Sequence, residues 1–303
     1  MKKFSIIIPT YNREALLNEL LHSLIVQKFD ADDFEILVID NNSTNDVAKT
    51  IEEFTKAYPK FDVKYFNEKQ QGVQYAWNRG IAEALGKLLV FVDDDVTFHK
   101  DYFETLSKDF SDNLDNISGG GKIAPVFEHQ KPAWISKYVM PYFIEINLGE
   151  RSTFPKKHNP FATNMLVSKA IFDKIGVFDT EKFKDKSVII PGTFERDLFK
   201  RIRKAGLPVY YFHDLLVWHF IPEEKIDKSY VKQHFIEAGK TYRDIHLEKG
   251  LFQYLYVVWL DVLKWIAALV LSTYYIFTTQ WEKVSMLLKV RWWRSKGLLS
   301  FSD

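Results

Sequence analysis

From Phe4 to Asp95 the chain alternates short apolar runs with amphipathic stretches. Residues 4–8 are β-branched and apolar and are closed by Pro9-Thr10, the pattern of a strand buried on both faces. Leu16, Leu17, Leu20, Leu21 and Leu24 then recur at helical spacing, with Asn12 in position to cap that helix. Residues 34–39 read as a second strand ending at Asp40, after which Ser43 or Thr44 can cap a helix to about Tyr58. Residues 63–66 form a third strand. Gly72 opens a helix to Leu85 that Gly86 stops, and residues 88–92 form a fourth strand running into Asp93-Asp94-Asp95. This order predicts an α/β fold, a mostly parallel Rossmann-like sheet flanked by helices. Ligands of such sheets bind beyond the carboxyl ends of the strands, where Thr10, Asp40 and Asp93 fall.

Residues 117–158 are irregular, with Gly119-Gly120-Gly121, and suit a hairpin plus loops. A strand is expected at 162–168, helices at 169–175 and 195–205, short strands at 209–212 and 215–219, and a helix from Lys228 to about Glu248. One boundary is expected, at Gly250, separating an α/β domain (1–250) from a helical appendage (251–303). Residues 251–277 are mainly apolar and aromatic, long enough to span a bilayer. Asp261 and Lys264 argue against a lipid-exposed span. In helical phase, Tyr254, Asp261, Lys264, Ala268 and Ser272 share one stripe, and Phe252, Tyr256, Trp259, Leu263, Ile266, Val270, Tyr274 and Phe277 lie opposite. Lys289, Arg291, Trp292, Trp293, Arg294 and Lys296 follow, a basic and tryptophan-rich composition that suits an anionic membrane surface. The expectation is a segment lying on the inner, cytoplasmic face of a membrane, peripheral or monotopic, with the charged stripe in water. Packing on the catalytic domain or on a second subunit is the alternative.

Composition narrows the classes. A net charge of +1 gives no global field toward nucleic acid, and none is expected as a partner. The absence of cysteine excludes disulfides, thiolate metal sites and a cysteine nucleophile, and is compatible with a reducing compartment. The apolar run at 4–8 is too short for a signal-peptide core.

Three adjacent carboxylates at a strand end need solvent or a cation. Strand alternation would put Asp93 and Asp95 on one side and Asp94 on the other. Two oxygen ligands on one side suit Mg²⁺ or Mn²⁺, which keep waters and bind substrate phosphates. A solvated acidic turn before a helix near His99 is the plain alternative. Asp40 can accept from a base imide such as uracil N3–H, or simply close an Asx-turn. Tyr11 can stack on that base or merely pack.

Taken in one frame, Ser5-Ile6-Ile7-Ile8-Pro9-Thr10-Tyr11-Asn12-Arg13, Asp40-Asn41-Asn42-Ser43, Gly72 to Gly80 and Asp93-Asp94-Asp95 resemble a family 2 glycosyltransferase of the GT-A fold, over about residues 4–245. The resemblance implies inverting transfer from a nucleoside diphosphate sugar, usually a UDP-sugar, with a divalent cation, to a glycan or lipid-linked glycan hydroxyl. It places the nucleotide base on Thr10, Tyr11 and Asp40. Ribose or water-mediated metal contacts fall on Asp93 or Asp94, and direct ligation on Asp95. Pro9, Arg13, Asn78 and Asn164 belong to the donor-binding motifs. His219 matches a histidine that touches metal or diphosphate, with a core or capping role as the alternative. Glu195 matches the general base at a helix start. There the helix dipole favours its ionised form, so a pKa not far raised is expected; first-turn charge complementarity is the alternative. Two positions depart from the family pattern: Trp77 stands where an arginine that could face the nucleotide is common, a role Arg79 could take over, and Phe194 stands where the first of two acids is common. Rival readings are transfer to a polyprenyl phosphate, which needs no strong base, and a non-catalytic nucleotide-sugar-binding relative. A nucleotidyltransferase would carry a Gly- and Lys/Arg-rich triphosphate loop near the first strand, and none is found.

Overall fold

The computed structural model describes residues 2–110, 114–156, 158–182 and 192–300. They fall into two compact units, one of residues 2–126, 144–182 and 192–220, the other of residues 127–143 and 221–300. Residues 301–303 of the expected appendage lie outside the described residues.

The first unit runs β1 (Phe4–Thr10), α1 (Glu14–Ile25), β2 (Phe34–Asp40), α2 (Val47–Ala57), β3 (Val63–Asn67), α3 (Val73–Glu83), β4 (Leu88–Phe91), β5 (Val96–Phe98), α4 (Tyr102–Asp109), β6 (Ser118–Phe127), β7 (Met165–Ser168), α5 (Lys169–Ile175), α6 (Thr193–Lys204) and β8 (Tyr210–Ile221). The sheet order is β3-β2-β1-β4-β7-β6-β8-β5. β1 to β4 are parallel, while β7 runs antiparallel to β4 and β6, and β5 antiparallel to β8. Alternating side chains feed two cores: Ile6, Ile8, Val38 and Val90 on one face, Ile7, Leu37, Ile39 and Phe91 on the other. Pro9 is tolerated in this central strand because the β1–β4 ladder ends at Ile7 opposite Phe91, so its missing N–H faces no partner strand.

The amino ends of the strands are tied by Glu35. Its Oε1 accepts the Ser5 hydroxyl at 2.5 Å and the Leu85 N–H at 2.6 Å, and its Oε2 accepts Lys64 Nζ at 2.8 Å. Burial alone would raise its pKa, but these donors reverse the shift and leave it below the ordinary value.

Three local expectations are corrected. Asn12 does not cap α1; it has φ +53, and its Oδ1 accepts the Thr44 N–H at 2.8 Å, so it ties the β1 loop to the β2 loop. Asp46, rather than Ser43 or Thr44, caps α2, accepting the Lys49 N–H at 3.0 Å. Residues 210–221 form one continuous strand rather than two short ones.

The second unit contains α7 (Glu223–Ile226), α8 (Lys228–Leu247), α9 (Leu251–Phe277) and α10 (Trp281–Leu299). Gly250 is the N-cap of α9, inside this unit. Among the described residues α9 alone is long and apolar enough to cross a membrane, judged by length and composition. Its phase follows the sequence: Tyr254, Asp261, Ala268 and Ser272 are buried, and the opposite aromatic row is exposed, from Phe252 at 91% to Phe277 at 87%. Of the charged stripe Lys264 is exposed, but Asp261 is not left in water. Asp261 is buried because α10 brings it partners: Arg291 Nη2 donates to Oδ1 at 3.0 Å and the Ser295 hydroxyl donates to Oδ2.

Candidate active site

The carboxyl end of β4 delivers the acidic triplet, and its partners come from the end of β1, the segment before β7, and β8. β4 closes at Phe91 and Asp94-Asp95 lie in a turn, so the expected strand alternation is not adopted. Asp94 and Asp95 instead share one cation: Arg13 Nη1 lies 3.1 Å from Asp94 Oδ1 and 3.3 Å from Asp95 Oδ2. The Thr10 hydroxyl donates to Asp94 Oδ2 at 2.8 Å, and the Thr163 hydroxyl donates to Asp93 Oδ2 at 2.6 Å. β5, unforeseen in the sequence, pairs Val96 with His219 on β8, and the Phe220 N–H donates to the Asp95 carbonyl at 2.8 Å. That register sets His219 Nε2 3.5 Å from Asp95 Oδ1. Burial pushes the Asp94 carboxyl up, Arg13 offsets it and Asp95 adds to it, leaving a pKa of about 6.

These donors fit a divalent cation. Carboxylate oxygens of Asp95 and Asp93 are hard ligands suited to Mg²⁺ or Mn²⁺, and the borderline imidazole nitrogen of His219 favours Mn²⁺ of the two. Among the described residues no three His, Asp or Glu side chains are already grouped as a metal site. A cation here therefore needs diphosphate oxygens and water to fill its shell. Beside Asp95 lies a cavity of about 300 Å³, lined by Leu16, Val96, Val126, Trp218 and Phe220. Trp218 is part-exposed there and presents a flat apolar face. Thr163 and Trp218 were not singled out from the sequence; Thr163 sits beside Asn164 in a segment already of interest, whereas nothing local marks Trp218.

Asp40 makes the Asx-turn, Oδ1 accepting the Ser43 N–H at 2.9 Å. Its Oδ2 also accepts the Tyr65 hydroxyl at 2.7 Å, which fixes the carboxylate at the end of β2. Tyr11 is exposed at 45%, free of core packing. Asn78 and Asn164 both hydrogen-bond within the fold. Asn78 exchanges hydrogen bonds with the Phe178 backbone at 2.9 and 3.0 Å. Asn164 is fully buried, accepting from the Tyr102 hydroxyl at 2.8 Å and donating to the Leu215 carbonyl at 2.8 Å.

Glu195 enters α6 behind Gly192, whose φ of +81 turns the chain into the helix. Its Oε1 accepts the Ala162 N–H at 3.2 Å. The expectation of a pKa not far raised is overturned: burial outweighs the backbone donors and lifts it to about 7. The two departures from the family pattern meet each other. Trp77 packs on Phe178 at 4.8 Å between ring centroids and edge-on against Phe194 at 6.2 Å. Trp77 belongs to the core face of α3, and Arg79 pairs with Glu83 at 2.8 Å, so Arg79 is held along its own helix.

A base of this pKa has a signature. If Glu195 takes the acceptor proton, kcat/KM should fall about tenfold per pH unit below about pH 7, because only the ionised carboxylate accepts, and level off above it. A profile flat between about pH 5 and 8 would remove Glu195 from the proton transfer.

A mixed sheet whose parallel strands β1 and β4 end at a carboxylate triplet fits the architecture of GT-A transferases. The model of glycosyl transferase family 2 matches residues 5–176, more than half of the chain, and the chain belongs to that family. It is 39% identical over 112 residues to an uncharacterised glycosyltransferase of Rickettsia conorii, a match covering 37% of this chain but 18% of that protein. It is 24% identical over 304 residues to dolichyl N-acetyl-alpha-D-glucosaminyl phosphate 3-beta-D-2,3-diacetamido-2,3-dideoxy-beta-D-glucuronosyltransferase of Methanococcus voltae, covering 96% of this chain and 89% of the relative. In fold it resembles a mannosyltransferase of Pyrobaculum calidifontis solved with GDP-Man and Mn²⁺, with a TM-score of 0.62 at 16% identity, over 98% of this chain and 87% of that one.

Proposed function

We propose that this chain moves one sugar, with inversion, from a UDP-sugar to a hydroxyl of a glycan or lipid-linked glycan at the cytoplasmic face of a membrane. The observation that carries the reading is the convergence of Thr10, Arg13, Thr163 and His219 on Asp93, Asp94 and Asp95. Pro9, Thr10, Tyr11 and Asp40 would seat the base, and Asp93 and Asp94 the ribose side. Asp95, with Asp93 and His219, would hold Mn²⁺ or Mg²⁺, which neutralises charge growing on the leaving diphosphate. Glu195 would take the proton of the acceptor hydroxyl as its oxygen bonds to the anomeric carbon from the opposite face. The bond from that carbon to the diphosphate breaks, and its electron pair leaves with the nucleotide.

A lipid-linked acceptor is supported by the name of the Methanococcus voltae relative, which gives a dolichyl-linked sugar phosphate as acceptor. The exposed aromatic face of α9 and the basic residues of α10 support a place at the membrane surface. The donor reading is tested with a panel of UDP, GDP and their sugars, each with and without Mn²⁺, followed by melting temperature. UDP species should stabilise the protein, and more so with metal. Stabilisation by GDP species alone would reassign the base. Surface attachment is tested by carbonate extraction of membranes, which should release much of the protein; release by detergent alone would mean that α9 spans.

A further inference from the structure

The second unit holds a cavity of about 340 Å³ whose lining includes no residue assigned above to the transfer reaction. It is lined by Lys264 of α9 and by Arg291 and Arg294 of α10, and on its apolar side by Ala267, Leu271 and Val290. Three cations meet one nearby carboxylate, Asp261, which Arg291 already engages at 3.0 Å. Lys264 and Arg294 have no acid at ion-pair distance among the described residues; instead they lie over the Tyr242 ring, at 6.0 and 5.4 Å from its centroid. Two positive charges are thus left uncompensated at the mouth of an apolar cleft. Partial desolvation and repulsion from Arg294 and Arg291 together lower the pKa of Lys264, and a bound anion would relieve that repulsion.

We propose that this cavity binds one anionic phospholipid, its phosphate held by Lys264, Arg291 and Arg294 and the start of an acyl chain lying on Ala267, Leu271 and Val290. The chemistry of the walls selects this occupant. A free phosphate would use the cations and leave the apolar wall wet, whereas a neutral lipid would use the wall and leave the cations unpaired. The aromatic row of α9, with Trp259, Leu263, Ile266 and Val270 all more than 40% exposed, lies on the same helix as Lys264. If that row rests in the interface, as proposed above, Lys264 sits at the depth of the headgroups. The inference rests on that membrane reading but is tested apart from it.

The experiment uses the full chain and dihexanoyl phosphatidylglycerol kept below its micelle concentration, so that no bilayer is involved. Titration calorimetry should show one lipid bound per chain, with dihexanoyl phosphatidylcholine and inorganic phosphate each binding far more weakly. The double substitution Lys264→Gln with Arg294→Gln removes two charges and should weaken binding about 30-fold. Lys289→Gln, an exposed position on α10 outside the cavity, should leave it unchanged. Unchanged melting temperature of the variants keeps the comparison clean. Equal binding by the double variant, equal binding of inorganic phosphate, or the same loss from Lys289→Gln would each overturn the proposal. Flotation of the wild-type protein with phosphatidylglycerol vesicles, measured separately, reports on the membrane reading itself. Flotation without saturable binding of the monomer would leave the membrane reading standing and reject this site.

Discussion

Asp95→Asn is expected to lower kcat/KM for sugar transfer by about 1000-fold while leaving the melting temperature close to that of the wild type. A cation clamped on a leaving diphosphate is worth several kcal/mol in the transition state, and about 4 kcal/mol corresponds to three decades in rate. Asp95 is where this loss should concentrate. It lies on a turn fixed by the Phe220 N–H, 3.5 Å from His219 Nε2 and 3.3 Å from Arg13 Nη1. Asparagine keeps the shape but gives up the charge. Release of nucleoside diphosphate, followed with saturating acceptor and Mn²⁺, measures the effect, and excess EDTA on the wild type should reproduce it. Retention of more than about a tenth of the activity by the variant would mean that charge at this position is not what holds the leaving group.

Glu195→Gln is expected to cost about 100-fold or more in turnover with donor affinity preserved. The amide is isosteric, and the Ala162 N–H still finds an acceptor in the side-chain carbonyl. Loss of turnover without loss of donor binding separates proton acceptance from a packing role, since misplacement of α6 would disturb both. The variant should also lose the acid limb of the pH profile. Undiminished turnover would favour an acceptor that is already anionic, such as a polyprenyl phosphate, for which no strong base is required.

The sequence carries the fold well where the signal is periodic. The buried runs at Phe4, Phe34 and Leu88 become neighbouring strands, and their ends bring Thr10 and Asp94 within 2.8 Å although they are 84 positions apart. Helical phase also separates the buried and exposed faces of α9. What escapes is set by partners distant in sequence. β5 has three residues and exists because β8 pairs with it, and no period can be read from so short a run. The high pKa of Glu195 comes from burial, which its place at a helix start does not reveal. Asp261 looked like a residue that needed water because Arg291 and Ser295 lie 30 and 34 positions further on. Trp77 and Phe194 read as two independent departures, yet they are one packing event: an aromatic pair fills the space between α3 and α6.

Arg13 gives the acidic triplet a resident counter-ion. With its guanidinium on both Asp94 and Asp95, the metal-free protein does not hold bare carboxylates in a dry turn. If the triplet binds a divalent cation as proposed, loading it would be an exchange of one positive charge for another rather than the filling of an empty hole. The attraction of the triplet for that cation would be discounted by the cost of displacing the arginine, a cost that would fall with a diphosphate present to receive it. On that proposal metal and donor would be coupled through this one side chain as well as through their own contact, each making the other's arrival easier.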